Sequence, residues 1–188
     1  FGRNTDLNAD GIFTNSSNTI NTSQGGGNTT IGVNNQMFDP GEGAYFTYVR
    51  GADPNFTGFN LSSNEADDAD NMLYSDGNGA TNDTIEVDSA FLKIAQLQGG
   101  GLATMSIAAF NISGSPQGED LIDASGANAV TVMRVKVYNA AGTLIEDSAL
   151  GGGQNAAVTI TFNTGVATVT GLNAGYKVEW FTNGDPDQ

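Results

Sequence analysis

The chain has 188 residues, of which 21 are Asp or Glu and 6 are Lys or Arg, so its formal net charge at pH 7 is −15. It contains 10 Phe and 38% hydrophobic residues, enough to build a core, which excludes an acidic disordered tail. The acidic balance argues against nucleic acid and anionic membrane surfaces, and no apolar run approaches the roughly 20 residues of a transmembrane helix. Histidine and cysteine are absent, which excludes a Ser-His or Cys-His nucleophile pair and a histidine-based zinc site.

The N-terminal half holds one clear strand pattern and two segments without one. Residues 15–35 are rich in Asn, Ser, Thr and Gly, which fits either a meandering loop or short edge strands. Apolar side chains alternate over residues 44–49, which predicts a half-buried strand. Residues 51–83 hold the densest acidic residues, and a long segment of this kind is usually functional or disordered. We expect an ordered loop held by bound ions, because apolar residues are spread through it: Phe56, Phe59, Leu61, Met72, Leu73 and Tyr74.

The C-terminal half predicts a succession of strands. Alternation marks residues 90–98, 102–112 and 130–138, and the last of these is the strongest pattern in the chain. In residues 130–138, one predicted face carries Met133, Val135 and Val137, and the other carries Arg134, Lys136 and Tyr138.

Two hairpins and a final strand complete this half. Asn139-Ala140-Ala141-Gly142 predicts a turn into a strand at residues 143–145. A second hairpin joins residues 158–162 to 166–169 through Asn163-Thr164-Gly165. Residues 176–182 form the closing strand, with Val178 and Trp180 on one face and Lys177, Glu179 and Phe181 on the other.

Many short strands with polar turns are typical of an all-β fold. We predict an antiparallel β-sandwich of about 8–10 strands with long loops, in a single domain over residues 1–188. Because Phe1 is not an initiator Met and no signal peptide is present, we expect the chain to be a piece of a larger protein.

The N-terminal acidic segment matches part of a calcium-binding loop. Loops that crowd carboxylates repel themselves, and a hard cation such as Ca²⁺ suits ligands that are all oxygen atoms. Asp6, Asn8 and Asp10 alternate before Gly11, as in the front half of such a loop. Ser17 stands where the acidic residue of loop position twelve would be, so we do not expect a helix–loop–helix site. The front half can bind calcium if another segment supplies the remaining ligands; the alternative is a solvated turn.

Two further groups of acidic residues are candidate calcium ligands. The first lies in the long loop, where Gly77 and Gly79 let backbone carbonyls turn inward; its members are Asp67, Asp68, Asp70, Asp76, Asn78 and Asp83. The alternative is a solvated acidic loop that keeps the protein soluble. Asp185 and Asp187 follow the last predicted strand, where a calcium site between tandem modules would lie, and the alternative there is a frayed terminus.

Amide and phenol side chains near these clusters are candidate ligand-binding residues. Asn34, Asn35 and Gln36 precede Asp39 and Glu42, and amides beside a calcium site can orient a polar ligand. Tyr74, in the long acidic loop, is a further candidate for selectivity. The alternative is that the amides simply cap turns.

The sequence resembles a known family in two places. These are the run Gly32-Val33-Asn34-Asn35-Gln36-Met37-Phe38-Asp39-Pro40-Gly41-Glu42 and the late stretch from residues 132–139 through residues 171–180. Both are similar to the calcium-dependent peptide-binding domain near the secretion end of giant bacterial RTX adhesins. The resemblance implies a β-sandwich that binds several calcium ions, one of which meets the ligand directly. The chain shows no glycine-rich nonapeptide array, so the resemblance concerns a passenger module and not the secretion signal.

These observations predict an extracellular binding module on a bacterial cell surface. A calcium ion held by loop carboxylates would bind a ligand carboxylate or vicinal hydroxyls, since an acidic protein can hold an anionic ligand only through a bridging cation. The expected partner is a peptide or glycan on another cell, with no nucleic acid, no membrane insertion and a monomeric module within a long chain. A calcium-rigidified spacer and a lectin are the alternatives. We do not expect an enzyme, since no pair of acids is singled out as facing each other across a cleft.

Overall fold

The computed structural model describes residues 4–6, 20–25, 28–33, 38–44, 46, 48, 85–111 and 128–183. By its contacts the chain divides into two compact units. The first comprises Phe1–Glu86 and Ile112–Ala124, and the second comprises Val87–Asn111 and Ser125–Gln188. No helix within the described ranges is long and apolar enough to span a membrane. The single domain over residues 1–188 stays a prediction.

The described part of the first unit consists of two antiparallel strand pairs. Strand β1 (Asn4–Asp6) pairs with β4 (Glu42–Ala44), and β2 (Ile20–Gly25) pairs with β3 (Asn28–Val33). The β2–β3 hairpin occupies the Asn-, Ser- and Thr-rich segment, where β-branched residues favour extended backbone. Short strands, and not a meandering loop, therefore form in this segment.

The predicted strand over residues 44–49 is wrong at Phe46 and Tyr48, whereas Ala44 does belong to a strand and residues 45, 47 and 49 lie outside the described residues. Strand β4 ends at Ala44, and Phe46 and Tyr48 lie outside any strand. Alternation of apolar residues reports which side chains face a core, whereas a strand also needs a paired neighbour. In the part of the chain that the structure describes, β4 has such a neighbour only along the three residues of β1. Tyr48 accepts a backbone hydrogen bond from Ile85 at 2.8 Å.

The second unit contains nine strands in its described residues. They are β5 (Ser89–Lys93), β6 (Ala103–Ile107), β7 (Ala109–Phe110), β8 (Ala129–Val130), β9 (Arg134–Tyr138), β10 (Leu144–Asp147), β11 (Thr159–Asn163), β12 (Val166–Leu172) and β13 (Lys177–Phe181). Gln98–Gly100 and Ser148–Leu150 form short 3₁₀ helices. The strands form a four-stranded sheet in the order β10-β9-β13-β5, a three-stranded sheet in the order β11-β12-β6, and the pair β7-β8. Every pairing is antiparallel.

One apolar cluster draws on both sheets of the second unit. Val135, Val137 and Val178 come from the four-stranded sheet and are fully buried. Ala167, Val169, Leu172 and Ile107 come from the three-stranded sheet. Branched side chains at alternate positions suit one buried face of a strand. The alternation of Val135 and Val137 therefore indicated correctly which face of this strand meets the core. The all-β antiparallel class is confirmed, and the sandwich arrangement stays a prediction.

Both predicted hairpins are present. Thr164 and Gly165 have φ values of 50° and 84°, so two consecutive positive-φ residues connect β11 to β12, as a type I′ turn requires. At the other turn, the Gly142 N–H donates to the Asn139 carbonyl at 2.9 Å, and the Asn139 N–H donates to the Thr143 carbonyl at 2.9 Å. The glycine in each sequence therefore marked the turn correctly.

Met133 does not lie on the buried face to which the alternation assigned it. Its side chain is 56% exposed, whereas Val132 is only 1% exposed and joins the core. Strand β9 begins at Arg134, where it pairs with Phe181, so strict alternation does not extend back to Met133. The predicted strand over residues 130–138 is thus two strands, β8 and β9, separated by an irregular link.

Candidate functional site

Asp6 is the only predicted calcium ligand that lies within the described residues, and it ends strand β1. The other predicted metal ligands lie outside the described residues: Asn8, Asp10, Asp67, Asp68, Asp70, Asp76, Asn78, Asp83, Asp185 and Asp187. The same is true of the predicted ligand-binding residues Asn34, Asn35, Gln36 and Tyr74. All of these assignments stay predictions.

The pairing of β1 with β4 places Glu42 directly opposite Asp6. Asp6 begins the alternating motif that lacks an acidic residue at its far end, so the motif needs a ligand from another segment. Glu42 is an acidic residue from such a segment, about 36 positions further along the chain than Asp6. The register therefore brings together two residues that carry hard oxygen ligands.

A tight turn holds Glu42 at this position. Pro40 and Gly41 occupy its two central positions, and Gly41 has a φ of 93°, the combination that a type II turn favours. The Glu42 N–H donates to the Asp39 carbonyl at 3.0 Å. In return, the Asp39 N–H donates to Oε2 of Glu42 at 2.7 Å. These two bonds fix the Glu42 side chain beside the start of β4 and leave its Oε1 atom outside the turn bond.

No group of three or more acidic side chains in the described residues is close enough to hold a metal ion. A complete calcium site built on Asp6 and Glu42 thus needs ligands from elsewhere in the chain. The motif residues Asn8 and Asp10 are the nearest candidates in sequence.

A second candidate surface lies on the four-stranded sheet and was not foreseen from the sequence. We define the cation–aromatic face as the side of this sheet that carries Phe91, Lys93, Arg134, Lys136, Tyr138, Lys177, Glu179 and Phe181. The register aligns Lys93, Lys177 and Tyr138 in one row across the strands. Phe91, Glu179 and Lys136 form the next row, and Phe181 pairs with Arg134 in the third. Residues directly opposite each other share a face, which is why these side chains are together.

Cations and aromatic rings contact one another across this face. The Lys177 Nζ lies 3.9 Å from the ring centre of Tyr138 and 5.3 Å from that of Phe91. The same atom lies 3.4 Å from Oε2 of Glu179. The Lys136 Nζ lies 5.2 Å from the ring centre of Phe181. Such geometry is attractive because the face of an aromatic ring carries partial negative charge.

This face concentrates the scarce positive charge of the protein. It holds four of the 6 Lys and Arg residues in a chain with 21 Asp and Glu. Among the described residues its carboxylates are Glu179 and Asp147, the latter bonded to Arg134, so the described part of the face has two more cations than anions. An anionic group therefore meets attraction here and repulsion over the chain as a whole, whose charge is −15.

A β-bulge in β10 decides which acidic residue reaches this face. Leu144 pairs with Tyr138, but Glu146 pairs with Val137 and Asp147 with Lys136, so one extra residue is inserted between them. A one-residue shift exchanges the two faces of a strand. Glu146, 1% exposed, is thereby opposite a core valine, and Asp147, 2% exposed, reaches Arg134.

Arg134 and Asp147 form a buried bidentate ion pair. The Arg134 Nε and Nη2 atoms donate to Oδ1 and Oδ2 of Asp147 at 3.0 and 2.8 Å. Oδ1 of Asp147 also accepts a hydrogen bond from the Ala149 N–H at 3.0 Å, so the Asp147 side chain caps the short 3₁₀ helix. The hydrogen bonds and charge of Arg134 hold the pKa of the Asp147 carboxyl below its ordinary value.

Glu146 is held by a glycine-rich loop. The Gly153 N–H donates to Oε1 at 2.6 Å, and the Asn155 N–H donates to Oε2 at 2.7 Å. The loop curls around the carboxylate because Gly151, Gly152 and Gly153 all have positive φ. Both oxygens have partners, so Glu146 is a structural anchor of this loop and not a candidate acid or base.

Sequence alternation predicted the membership of the cation–aromatic face on β9 and β13 but not its role. Arg134, Lys136 and Tyr138 were assigned to one face, as were Lys177, Glu179 and Phe181. One sequence signal could have predicted this face. Lys and Arg occupy alternate positions of the predicted strands, although the chain contains only 6 of these residues. The pairing of β13 between β9 and β5, which joins them, cannot be deduced from alternation.

Comparison with protein-family models, with curated proteins and with solved structures finds no match for this chain.

Proposed function

We propose that this chain is a calcium-dependent binding module of a bacterial surface adhesin. The module binds a peptide on another cell through the free C-terminal carboxylate of that peptide. The observation that carries the proposal is the register that sets Glu42 opposite Asp6. Asp6 opens an oxygen-rich motif, and Glu42 is the type of residue that the motif lacks. The excess of 15 negative charges supplies the reason for a cation.

In this mechanism the protein holds Ca²⁺ with side-chain oxygens and leaves coordination positions open. Asp6, Asn8 and Asp10 would supply one side of the site and Glu42 the other. A ligand carboxylate would fill the open positions, because Ca²⁺ accepts six to eight oxygen ligands in flexible geometry. The tight turn at Pro40-Gly41 supports this role, since it holds the Glu42 side chain in one place before the ion arrives.

The same ligand chemistry predicts that the site binds calcium in preference to magnesium. Magnesium is smaller, demands octahedral geometry and retains its waters, so a site assembled from several loops suits it poorly. Ligand binding should therefore require calcium and should not be restored by magnesium.

The test is a binding screen with peptides that have free or amidated C-termini, run in calcium, in magnesium and in chelator. We expect free C-termini to bind in calcium alone. Preference for simple sugars in the same screen would replace the peptide by a glycan, and equal binding in chelator would overturn the calcium bridge. Absence of binding to either class would leave a calcium-rigidified spacer as the function.

The Asp6–Glu42 pair can be tested within the same screen. Glu42→Gln keeps the shape of the side chain and removes its charge, so calcium-dependent binding should weaken. Glu86→Gln is the matched control, since Glu86 is an exposed acidic residue of the same unit. Equal binding by the two variants would remove Glu42 from the site.

A further inference from the structure

We propose that strand β5 binds an extended acidic peptide by strand addition, with alternate carboxylates of the peptide lying on the cation–aromatic face. This site belongs to the second unit and needs no calcium, so it is separate from the site proposed above. Three observations carry it: an open backbone edge, exposed side chains of suitable chemistry beside that edge, and local positive charge.

The first observation is that β5 is an edge strand. Among the described residues it pairs only with β13. At its two ends, the Thr182 N–H donates to the Asp88 carbonyl at 2.9 Å and the Ile94 N–H donates to the Tyr176 carbonyl at 2.8 Å. Backbone groups of an antiparallel strand point alternately to its two sides. Because Asp88 and Ile94 face β13, the odd-numbered residues between them, Ser89, Phe91 and Lys93, direct their N–H and C=O groups to the open edge.

The second observation is the chemistry of the side chains along that edge. Phe91 is 61% exposed, and Lys93 is exposed. Both belong to the cation–aromatic face, so the residues that offer hydrogen bonds also offer an aromatic ring and an ammonium group. A strand added beside β5 would place each of its Cβ atoms about 4.5–5.5 Å from the Cβ atom of the β5 residue directly opposite. One peptide residue would then meet Lys93, and the residue two positions away would meet Phe91.

The neighbouring strand extends the same pattern. Lys177 lies opposite Lys93, and its Nζ is 5.3 Å from the ring centre of Phe91. A carboxylate beside Lys93 would thus lie near a second cation, and an apolar side chain would pack on Phe91. On the face that it shares with the cation–aromatic face, the preferred peptide therefore has an apolar residue opposite Phe91. The residue two positions away, opposite Lys93, is acidic.

The third observation, charge complementarity, selects the partner. Among the described residues the face has two more cations than anions, while the chain as a whole carries −15. Anionic groups are therefore drawn to this face in preference to the rest of the surface. The open backbone edge favours a polypeptide over an acidic glycan, since only a peptide can pair with a strand along its length.

Lysine on an edge strand has another explanation, which the experiment must separate from binding. Natural sheets place charged residues on edge strands to prevent uncontrolled pairing between molecules. If Lys93 serves only that purpose, no acidic peptide will pair with β5, and removal of its charge will change self-association alone.

The experiment is a nuclear magnetic resonance titration of the full chain, in chelator, with the short peptide Glu-Thr-Val-Thr-Glu, in which glutamate and valine share one face of the strand and threonine occupies the other. Acetylation and amidation of its ends remove the free carboxylate that the calcium site would require. We expect saturable shifts at the amides of Ser89, Phe91 and Lys93 at millimolar peptide. Unchanged amides at all three positions would overturn the proposal.

Two control ligands define the mode of binding. A peptide of equal charge in which proline replaces valine cannot donate the backbone hydrogen bonds of a strand. An acidic oligosaccharide offers charge without a peptide backbone. We expect neither to produce the same shifts, and equal binding of either would show a charged surface without strand addition, which overturns the proposal.

Variants of β5 test the two contributions separately. Lys93→Gln should weaken binding by about two- to fivefold, the value of one exposed ion pair, and Lys93→Arg should restore it. Ser89→Pro removes one outward N–H, a change that an edge strand tolerates, and should weaken binding, whereas Ser89→Ala should not. If Lys93→Gln and Ser89→Pro both bind like the parent while remaining folded, the proposal is wrong.

Discussion

Gly171 lies so close to Ala157 that a β-carbon at this glycine would overlap the Ala157 carbonyl oxygen. The contact occurs where β12 has a register shift between Val169 and Leu172. Gly171 also has a φ of 78°, a backbone conformation that disfavours other residues. The absence of a side chain therefore lets the chain before β11 approach β12 at this point.

Gly171→Ala should lower the free energy of unfolding by about 2–5 kcal/mol, the combined cost of positive φ and of overpacking. Gly142→Ala is the matched control, because Gly142 has a φ of 82° and no atom within 4 Å of the added carbon. Gly142→Ala should lower the free energy of unfolding by only about 1–2 kcal/mol. Chemical denaturation followed by the emission of Trp180, the single Trp of the chain, measures both variants. Equal losses would contradict the close contact at Gly171.

Arg134→Met should destabilise the second unit by about 3 kcal/mol, because it leaves the buried Asp147 carboxylate without its cation. Lys177→Met is the control on the same sheet. It breaks a pair whose side chains are 33% and 23% exposed, which should cost less than about 1 kcal/mol. Comparable losses in the two variants, measured by denaturation at neutral pH, would show that burial of the Arg134 pair has little effect.

The same ion pair predicts a dependence of stability on pH. Because the pKa of Asp147 is lowered in the folded protein, its contribution is fully present above the ordinary value of 3.8. It is lost as the pH falls below 3.8 and through the lower folded-state pKa. Denaturation at a series of acid pH values should show this loss in the parent and a smaller one in Arg134→Met. Parallel curves for the two proteins would contradict the assigned cause.

Glu146→Gln should loosen the glycine-rich loop without disturbing the sheets. One of the two backbone donors, Gly153 or Asn155, would then face an amide NH₂ group in place of a carboxylate oxygen. Loss of one charged hydrogen bond should lower the free energy of unfolding by about 1.5–3 kcal/mol. Glu179→Gln is the control and should lower it less, because it affects only the partly exposed pair with Lys177. Hydrogen exchange at the Gly153 and Asn155 amides should quicken in Glu146→Gln alone. Unchanged exchange there would mean that the loop holds its shape without the carboxylate.

The sequence predicted the strands best where alternation and a glycine turn agreed, as at β11 and β12 around Thr164-Gly165. It failed at Phe46 and Tyr48, where alternation was present but the paired partner is short. Arg134 shows the limit for sites. Its face was predicted correctly, but its burial depends on a bulge in β10 that brings Asp147 to it, and no local pattern in β9 reports a bulge on another strand.

The pairing of Asp6 with Glu42 illustrates the same limit. The motif at Asp6 indicated that a ligand from another segment was needed, but only the β1–β4 register names Glu42. Local sequence carries the ligand types, whereas the distance of about 36 residues between them is bridged by strand pairing alone.

The most direct measurement of the central claim is a calorimetric calcium titration of the chelator-stripped chain. The parent should bind calcium, Glu42→Gln should lose one site or bind it about tenfold more weakly, and Glu86→Gln should match the parent. Absence of calcium binding by the parent, or identical titrations for Glu42→Gln and the parent, would contradict a calcium site that joins Asp6 to Glu42.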